Sequence, residues 1–367
     1  MNIKSFSIEG LFNRFNHRIE FKNNITIIIG KNGVGKTTCL ELLYSLFCGD
    51  FSKLREVPFK TMTLEFADGE ELTFSYNGVL DVHSKSHGAT HILEKVDTPI
   101  PNYLTTKKNE NIVKFIKAQR LVEYYLNPNY PEDTYFVDSK VTSNAQNLAT
   151  QIKNVIAKAS DVATSLDKSF PSRLLNGIGG KINTTEDLKN ALADLETKRQ
   201  ELSNVGLLSS EEESTDPNSY NISATSANVL SLYVQDSQSK LQPYDSIAKK
   251  LKLFKKIINS RFLYKKMTID KDKGYFFVSD EGEEIPIDKL SSGEQNELVM
   301  FYNLLFECNE NNLILIDEPE ISMHIEWLNN MLPDLLAISE LNGLSMLIAT
   351  HSPDFIGEYW NLTTELK

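Results

Sequence analysis

Three cysteines in 367 residues, Cys39, Cys48 and Cys308, with no CxxC pair among them, are too few for a disulfide framework or a thiolate zinc site. So sparse a set fits a reducing cytoplasm. Long apolar runs are missing as well: nothing approaches the roughly 18–20 residues needed to span a bilayer, which excludes a membrane-spanning helix. The first ten residues, MNIKSFSIEG, alternate polar and apolar, so a strand is expected there and not a signal peptide. Positive charge is also scarce. A net charge of −12 excludes a surface that is one continuous nucleic-acid footprint, though not a local basic patch. What is present, 41% apolar and 24% charged residues, is the composition of a soluble chain with one large core, or a core plus an appended module.

Periodicity divides the chain into β-rich ends and a helical middle. Near the N-terminus Ile3, Phe6 and Ile8 alternate, as do Ile19 and Phe21, and Ile25–Ile29 is a β-branched run that stops at Gly30. Such a run bounded by glycine predicts a buried parallel strand. Thr37–Phe47 has helical spacing, Met62–Phe66 and Leu72–Tyr76 predict a hairpin, and Ile112–Ile116 a further strand. Between 138 and 260 three helices are expected. One carries Leu148, Ile152, Val155, Ala159, Val162 and Leu166, and one is capped by Thr184. The last runs from Leu241 to Ile258 with a kink at Pro243. The acidic, serine-rich stretch Ser209–Asn218 predicts a mobile connection. These heptad-like stretches are too short for a long coiled coil. Beyond 261, a second hairpin (Phe262–Ile269, Tyr275–Val278) precedes a helix over Leu290–Phe306. A buried strand (Leu313–Ile316), a helix (Ile321–Leu336) and a final strand (Leu344–Ala349) complete the pattern. The expectation is an α/β fold of three parts: an N-terminal lobe 1–137, a helical insertion 138–260 and a C-terminal lobe 261–367.

Two motifs carry chemistry on their own. Residues 30–37, GKNGVGKT, match the phosphate-binding pattern GxxxxGK[ST] in full. Glycines let successive backbone N–H groups curl around a β-phosphate, and the helix that comes next adds its positive end. Lys36 is expected to neutralise the β and γ phosphates and Thr37 to place its hydroxyl on Mg²⁺. Gly30, Asn32, Gly33, Gly35, Lys36, Thr37 and Thr38 are the expected ATP-binding set. The second motif is Leu313-Ile314-Leu315-Ile316-Asp317-Glu318. Its apolar strand delivers Asp317 to the metal shell and leaves Glu318 beside an attacking water, as a candidate general base.

Leu290-Ser291-Ser292-Gly293-Glu294-Gln295 resembles the LSGGQ signature of the ABC ATPase superfamily, with Ser292 where glycine is usual. Asp317 follows Leu290 by 27 residues, and His351 follows Asp317 by 34. The resemblance implies a P-loop ATPase head: a mixed sheet with an antiparallel β subdomain, interrupted here by the helical insertion. It also implies that Ser291 and Gly293 reach the γ-phosphate bound to a partner head, so that two heads share two ATP molecules. His351, in Ala349-Thr350-His351-Ser352-Pro353, then matches the switch histidine that contacts the γ-phosphate. Gln119 falls where the superfamily carries a glutamine that binds Mg²⁺ and water. Arg14 reads either as a contact to the nucleotide or as a solvated loop charge.

The run Asp317-Glu318-Pro319-Glu320-Ile321-Ser322-Met323-His324, with the THSP segment, is similar to heads of the SMC, RecF and OLD group. In particular it resembles stand-alone ATPase subunits of bacterial anti-phage systems of the PARIS, Septu or retron-associated kind. The resemblance covers about 1–125 and 260–356. OLD nucleases continue into a metal-binding TOPRIM domain, whereas sixteen residues follow His351 here, so any nuclease or toxin effector is expected on a separate polypeptide. Absence of a long coiled coil and a zinc hook speaks against a true SMC or break-repair role. A RecF-like clamp on DNA is the alternative, and it leaves nucleic acid open as a ligand. Lys249–Lys266, rich in lysine, reads either as a basic face for nucleic acid or an acidic partner, or as a solvated helix face.

Overall fold

The computed structural model describes residues 3–22, 24–48, 51–76, 79–93, 112–116, 122–126, 135–176, 184–209, 224–310, 312–321 and 325–367. In chain order the strands begin with β1 (Ile3–Leu11), β2 (Phe15–Glu20), β3 (Ile25–Ile29), β4 (Thr61–Phe66), β5 (Glu71–Tyr76), β6 (Leu80–Ser84), β7 (Ala89–Leu93) and β8 (Val113–Ile116). They continue with β9 (Val122–Leu126), β10 (Tyr135–Ser139), β11 (Lys265–Asp270), β12 (Gly274–Ser279), β13 (Glu284–Ile285), β14 (Leu313–Asp317), β15 (Ser345–Ala349) and β16 (Thr363–Glu365). The helices are α1 (Lys36–Cys48), α2 (Ser52–Glu56), α3 (Lys140–Leu175), α4 (Thr185–Asn204), α5 (Ala224–Leu241), α6 (Asp245–Arg261), α7 (Ser292–Tyr302), α8 (Ile325–Asn342) and α9 (Pro353–Ile356). Among the described residues no helix is long and apolar enough to cross a membrane. Two compact units result: residues 1–120 with 299–367, and residues 121–298.

The first unit is built on a parallel sheet ordered β16-β3-β15-β14-β8. Its central strands are buried on both faces, which is why they read as unbroken apolar runs. Leu313 and Leu315 of β14, Leu347 and Ala349 of β15 and Ile28 of β3 join one core with α1 and the antiparallel sheet β2-β1-β4-β5-β6-β7. Their alternates Ile314, Ile316, Met346, Ile348 and Ile27 are buried outside that core. In α1, Leu40, Leu43, Leu46 and Phe47 form the buried stripe expected from their spacing. The hairpin expected over 62–76 is β4–β5, closed by a turn at Ala67–Glu70. Leu344–Ala349 does not end the sheet, because β16 comes after it and pairs in parallel with β3. Its Thr-Thr-Glu sequence has no apolar pattern to announce it.

The second unit packs helices on the antiparallel sheet β11-β12-β13, with β9 and β10 as a separate pair. The Tyr275 hydroxyl of β12 donates to the Val141 carbonyl of α3 at 2.6 Å, and the Tyr275 ring meets Phe254 of α6 edge to face at 5.9 Å. Thr184 caps α4 as expected, accepting from the Asp187 N–H at 3.0 Å. At Pro243 the chain makes a 3₁₀ turn, Gln242–Tyr244, that separates α5 from α6. The helix α5 carries no strong periodicity and was not expected. Of the stretch Ser209–Asn218, residues 210–218 lie outside the described residues, as do Ser322, Met323 and His324.

At least three of the seven lysines of the basic segment are paired within their own unit. Lys252 pairs with Glu201 at 3.0 Å, Lys265 with Glu294 at 2.8 Å, and Lys255 donates to the Asn204 carbonyl at 2.9 Å. Arg261 is 4% exposed beside fully buried Glu297 and belongs to the core, so it is removed from the expected basic face.

Gly274, at φ +77°, lies so close to α3 that a Cβ would sit 1.9 Å from the Ala145 carbonyl oxygen. Gly274→Ala is expected to lower stability by about 2–4 kcal/mol, from overpacking and left-handed backbone strain together. Urea unfolding followed by circular dichroism measures it.

Candidate nucleotide-binding site

The parallel sheet fixes the site. Because β15 lies between β3 and β14, the C-terminal ends of three adjacent strands face one crevice, the ordinary ligand position of an open α/β sheet. From β3 the chain enters the loop 30–35 and then α1. The first turn of α1 contains no acidic side chain, so its unpaired N–H groups keep their positive end for an anion. The Lys36 ammonium, on a residue 6% exposed, donates to the Gly30 carbonyl at 2.9 Å and the Lys31 carbonyl at 3.5 Å. A cleft of about 530 Å³ opens here, lined by Phe12, Asn32, Gly33, Gly35, Lys36, Thr37, Thr38, Glu318 and His351.

The second strand end supplies carboxylates. Asp317 terminates β14, and the Thr37 hydroxyl donates to its Oδ1 at 3.1 Å, joining the two sequence motifs directly. Burial pushes the Asp317 carboxyl above its ordinary range; Thr37 pulls it down, while Glu318, Glu41 and Glu320 push it up. Glu318 has φ +45°, a left-handed backbone costing on the order of 1–3 kcal/mol for a residue with a side chain. Its N–H donates to the Ala349 carbonyl at 2.9 Å, so the pairing with β15 holds the turn that aims its carboxylate into the cleft. There Glu318 Oε1 lies 3.4 Å from Nδ1 of His351.

Glu320 ties the third strand end to the second. Its Oε1 accepts from the Thr350 hydroxyl at 2.6 Å and from the His351 N–H at 3.3 Å. Sequence reading passed over Glu320, although its alternation with Glu318 across Pro319 was visible. Phe12 was missed as well. It stands in the β1–β2 turn at φ +53°, 41% exposed at the cleft wall. Arg14 does not line the cleft; its guanidinium stacks 5.1 Å above the Phe15 ring. Gln119 lies outside the described residues.

Ser291 and Gly293 belong to the second unit. They open α7 in a reciprocal capping box. The Ser291 N–H and hydroxyl donate to Glu294 Oε2 at 2.9 and 3.0 Å, and the Glu294 N–H donates to the Ser291 oxygen at 3.3 Å. Burial raises the Glu294 carboxyl, but Lys265 and Ser291 outweigh it and hold the group below its usual range. Both serines of the motif, Ser291 and Ser292, are exposed.

A family model described as an AAA ATPase domain matches residues 1–356. The chain belongs to the AAA ATPase domain family. Solved structures similar to this member of the family include a Smc head domain from Pyrococcus furiosus, with an extended coiled coil and bound to the C-terminal domain of ScpA. It is 10% identical, covers 97% of this chain and 91% of that one, and has a TM-score of 0.41. An SMC head domain from Thermotoga maritima, 11% identical with the same coverages, has a TM-score of 0.40. A Smc head bound to the C-winged helix domain of ScpA, 9% identical over 97% of this chain and 91% of that chain, has a TM-score of 0.43. Comparison with curated proteins gives no match.

An ATPase domain of this family implies nucleotide and, with it, Mg²⁺. Among the described residues no group of three or more His, Cys, Asp or Glu side chains is arranged to hold a metal. Mg²⁺ keeps several waters and takes one or two protein oxygens beside phosphate oxygens. The Thr37 hydroxyl and the Asp317 carboxylate, 3.1 Å apart amid three further carboxylates, have the hard-oxygen chemistry for it. Without a cation, ionised Asp317 is a stability cost, because its raised folded value means folding favours the protonated form and stability falls as pH climbs above the ordinary carboxylate range. Asp317→Asn is therefore expected to raise the melting temperature at pH 7.5 in metal-free buffer. Scanning calorimetry tests it; a fall would contradict the electrostatic account.

Proposed function

We propose that this chain binds and hydrolyses ATP at this cleft as one half of a head-to-head pair. The observation that carries the reading is the convergence on one cleft of Lys36, the Thr37–Asp317 pair, Glu318 and His351 from three adjacent strand ends. The loop amides and Lys36 hold the phosphate chain, and exposed Phe12 offers a face for the base. Thr37 and Asp317 are the residues that would hold Mg²⁺, which when bound would supply positive charge to the phosphate chain. Glu318 takes a proton from the water whose oxygen attacks the γ-phosphorus, and the bond to the bridging oxygen breaks to leave ADP. His351, held by Glu318 and Glu320, orients the γ-phosphate. Ser291, Gly293 and the N-terminus of α7 serve the γ-phosphate of a second copy.

ATP binding then closes the pair and hydrolysis opens it. The resemblance of residues 317–324 and 350–353 to ATPase subunits of anti-phage systems supports a defence role, in which this switch controls a nuclease or toxin effector. A DNA clamp is the rival reading. Pairing of Lys252, Lys255 and Lys265 inside their own unit weighs against it.

Glu318→Gln is expected to lose about 10²–10⁴-fold in hydrolysis while still binding ATP. Light scattering after size exclusion should show its mass doubling only with Mg·ATP; an unchanged mass sinks the paired mechanism. A mixture of Ser291→Arg and Lys36→Ala chains, each inactive alone, is expected to regain part of the wild-type rate, since one composite site stays intact. Strong stimulation of wild-type hydrolysis by DNA would favour the clamp.

A further inference from the structure

We propose that His17 is a positioning residue of the phosphate loop, resting on the reading of that loop as the nucleotide site. His17 sits on β2, paired across to Ile8 of β1, and is 5% exposed. Its ring stacks on Phe15 at 5.7 Å with a 15° interplanar angle. Its Nε2 lies 2.8 Å from the carbonyl oxygen of Val34, inside the loop. A carbonyl only accepts, so Nε2 carries the hydrogen and donates. The other ring nitrogen, Nδ1, is buried with no partner among the described residues. Such a group costs stability where an apolar side chain would fit. The one hydrogen bond its ring makes is to the loop between β3 and α1.

Val34 stands between Gly33 at φ +84° and Gly35 at φ +94°. Two flanking glycines leave the peptide planes of this segment with little intrinsic preference, and the Val34 N–H contact to the Lys31 carbonyl is long at 3.4 Å. A trans peptide points its C=O and its N–H in opposite directions. By holding the Val34 carbonyl toward β2, His17 turns the Gly35 N–H away from β2, on the side of the phosphate chain. The bond thus sets one of the amides that read the anion, and does so from a different sheet than the one that carries the loop. Because the amides wrap the phosphate chain as a whole, the effect should be felt alike by ATP and ADP.

Calorimetric titration of the full chain with Mg·ATP and with ADP tests this. His17→Phe keeps the ring stack and removes the donor; it is expected to weaken both nucleotides about tenfold. His17→Gln restores a donor at the reach of Nε2 and should recover to within about threefold of wild type. Equal affinities for His17→Phe and wild type overturn the proposal, and so does a His17→Gln chain as weak as His17→Phe. Lys36→Ala is the control for the underlying reading: if it binds ATP like wild type, the loop is not the nucleotide site, and that reading fails first. Should His17→Phe not fold by circular dichroism, ¹⁵N-histidine spectra of the wild-type chain decide. A slowly exchanging Nε2–H that shifts on adding ATP is expected, and a hydrogen on Nδ1 instead overturns the assignment.

Discussion

Everything in the candidate site hangs on the pairing of β15 between β3 and β14. Three parallel strands in register must end at nearly the same height, so the segments leaving their C-terminal ends are brought together without any specific contact. The loop after β3 brings amides and Lys36, the end of β14 brings Asp317 and Glu318, and the end of β15 brings Thr350 and His351. The Ala349 carbonyl goes further: by accepting from the Glu318 N–H it holds open a backbone turn that a glutamate would not adopt unaided. The strain is stored at a residue whose carboxylate lines the cleft, and the cost falls on a core of strands buried on both faces.

Electrostatics in the cleft is arranged in two opposed halves. On one side lie the uncompensated start of α1 and Lys36; on the other lie Asp317, Glu318 and Glu320, with Glu41 near enough to raise Asp317 further. Each half alone is unfavourable. On the proposed reading a polyanion with a divalent cation would satisfy both, since each half complements one of the two ions. Glu320 has a second part as well, since the same carboxylate that adds to the negative side also fixes the backbone of His351.

How much of this was legible in the sequence depends on how local each feature is. The phosphate loop, the β14 run and its Asp317 are contiguous strings in which strand, turn and helix signals succeed one another directly, and the structure places Thr37 and Asp317 in contact as the two motifs imply. Thr184 was legible as a cap for the same reason. Phe12, His17 and Glu320 were not, because their importance comes from partners far along the chain. A phenylalanine in a β-turn or a histidine in an alternating strand reads as packing until the neighbouring sheet is known. Arg261 shows the converse: counted along the sequence it joins a lysine-rich face, yet helical phase carries it into the core beside Glu297. The short β16 escaped notice because an edge strand of Thr-Thr-Glu needs only backbone hydrogen bonds.

That short strand has a consequence for how the molecule is made. The run Ile25–Ile29 leaves the ribosome well ahead of its neighbours: one of its edges is satisfied by β15 and the other by β16, both more than 300 residues later. At about 5–20 residues per second, the loop-bearing strand waits on the order of 20–70 s for them. During that interval its apolar faces and unpaired backbone must be covered by the β1–β2 hairpin and α1, or by a chaperone. The strand that carries the loop is thus among the last to be locked, when β15 and β16 finally pair with it.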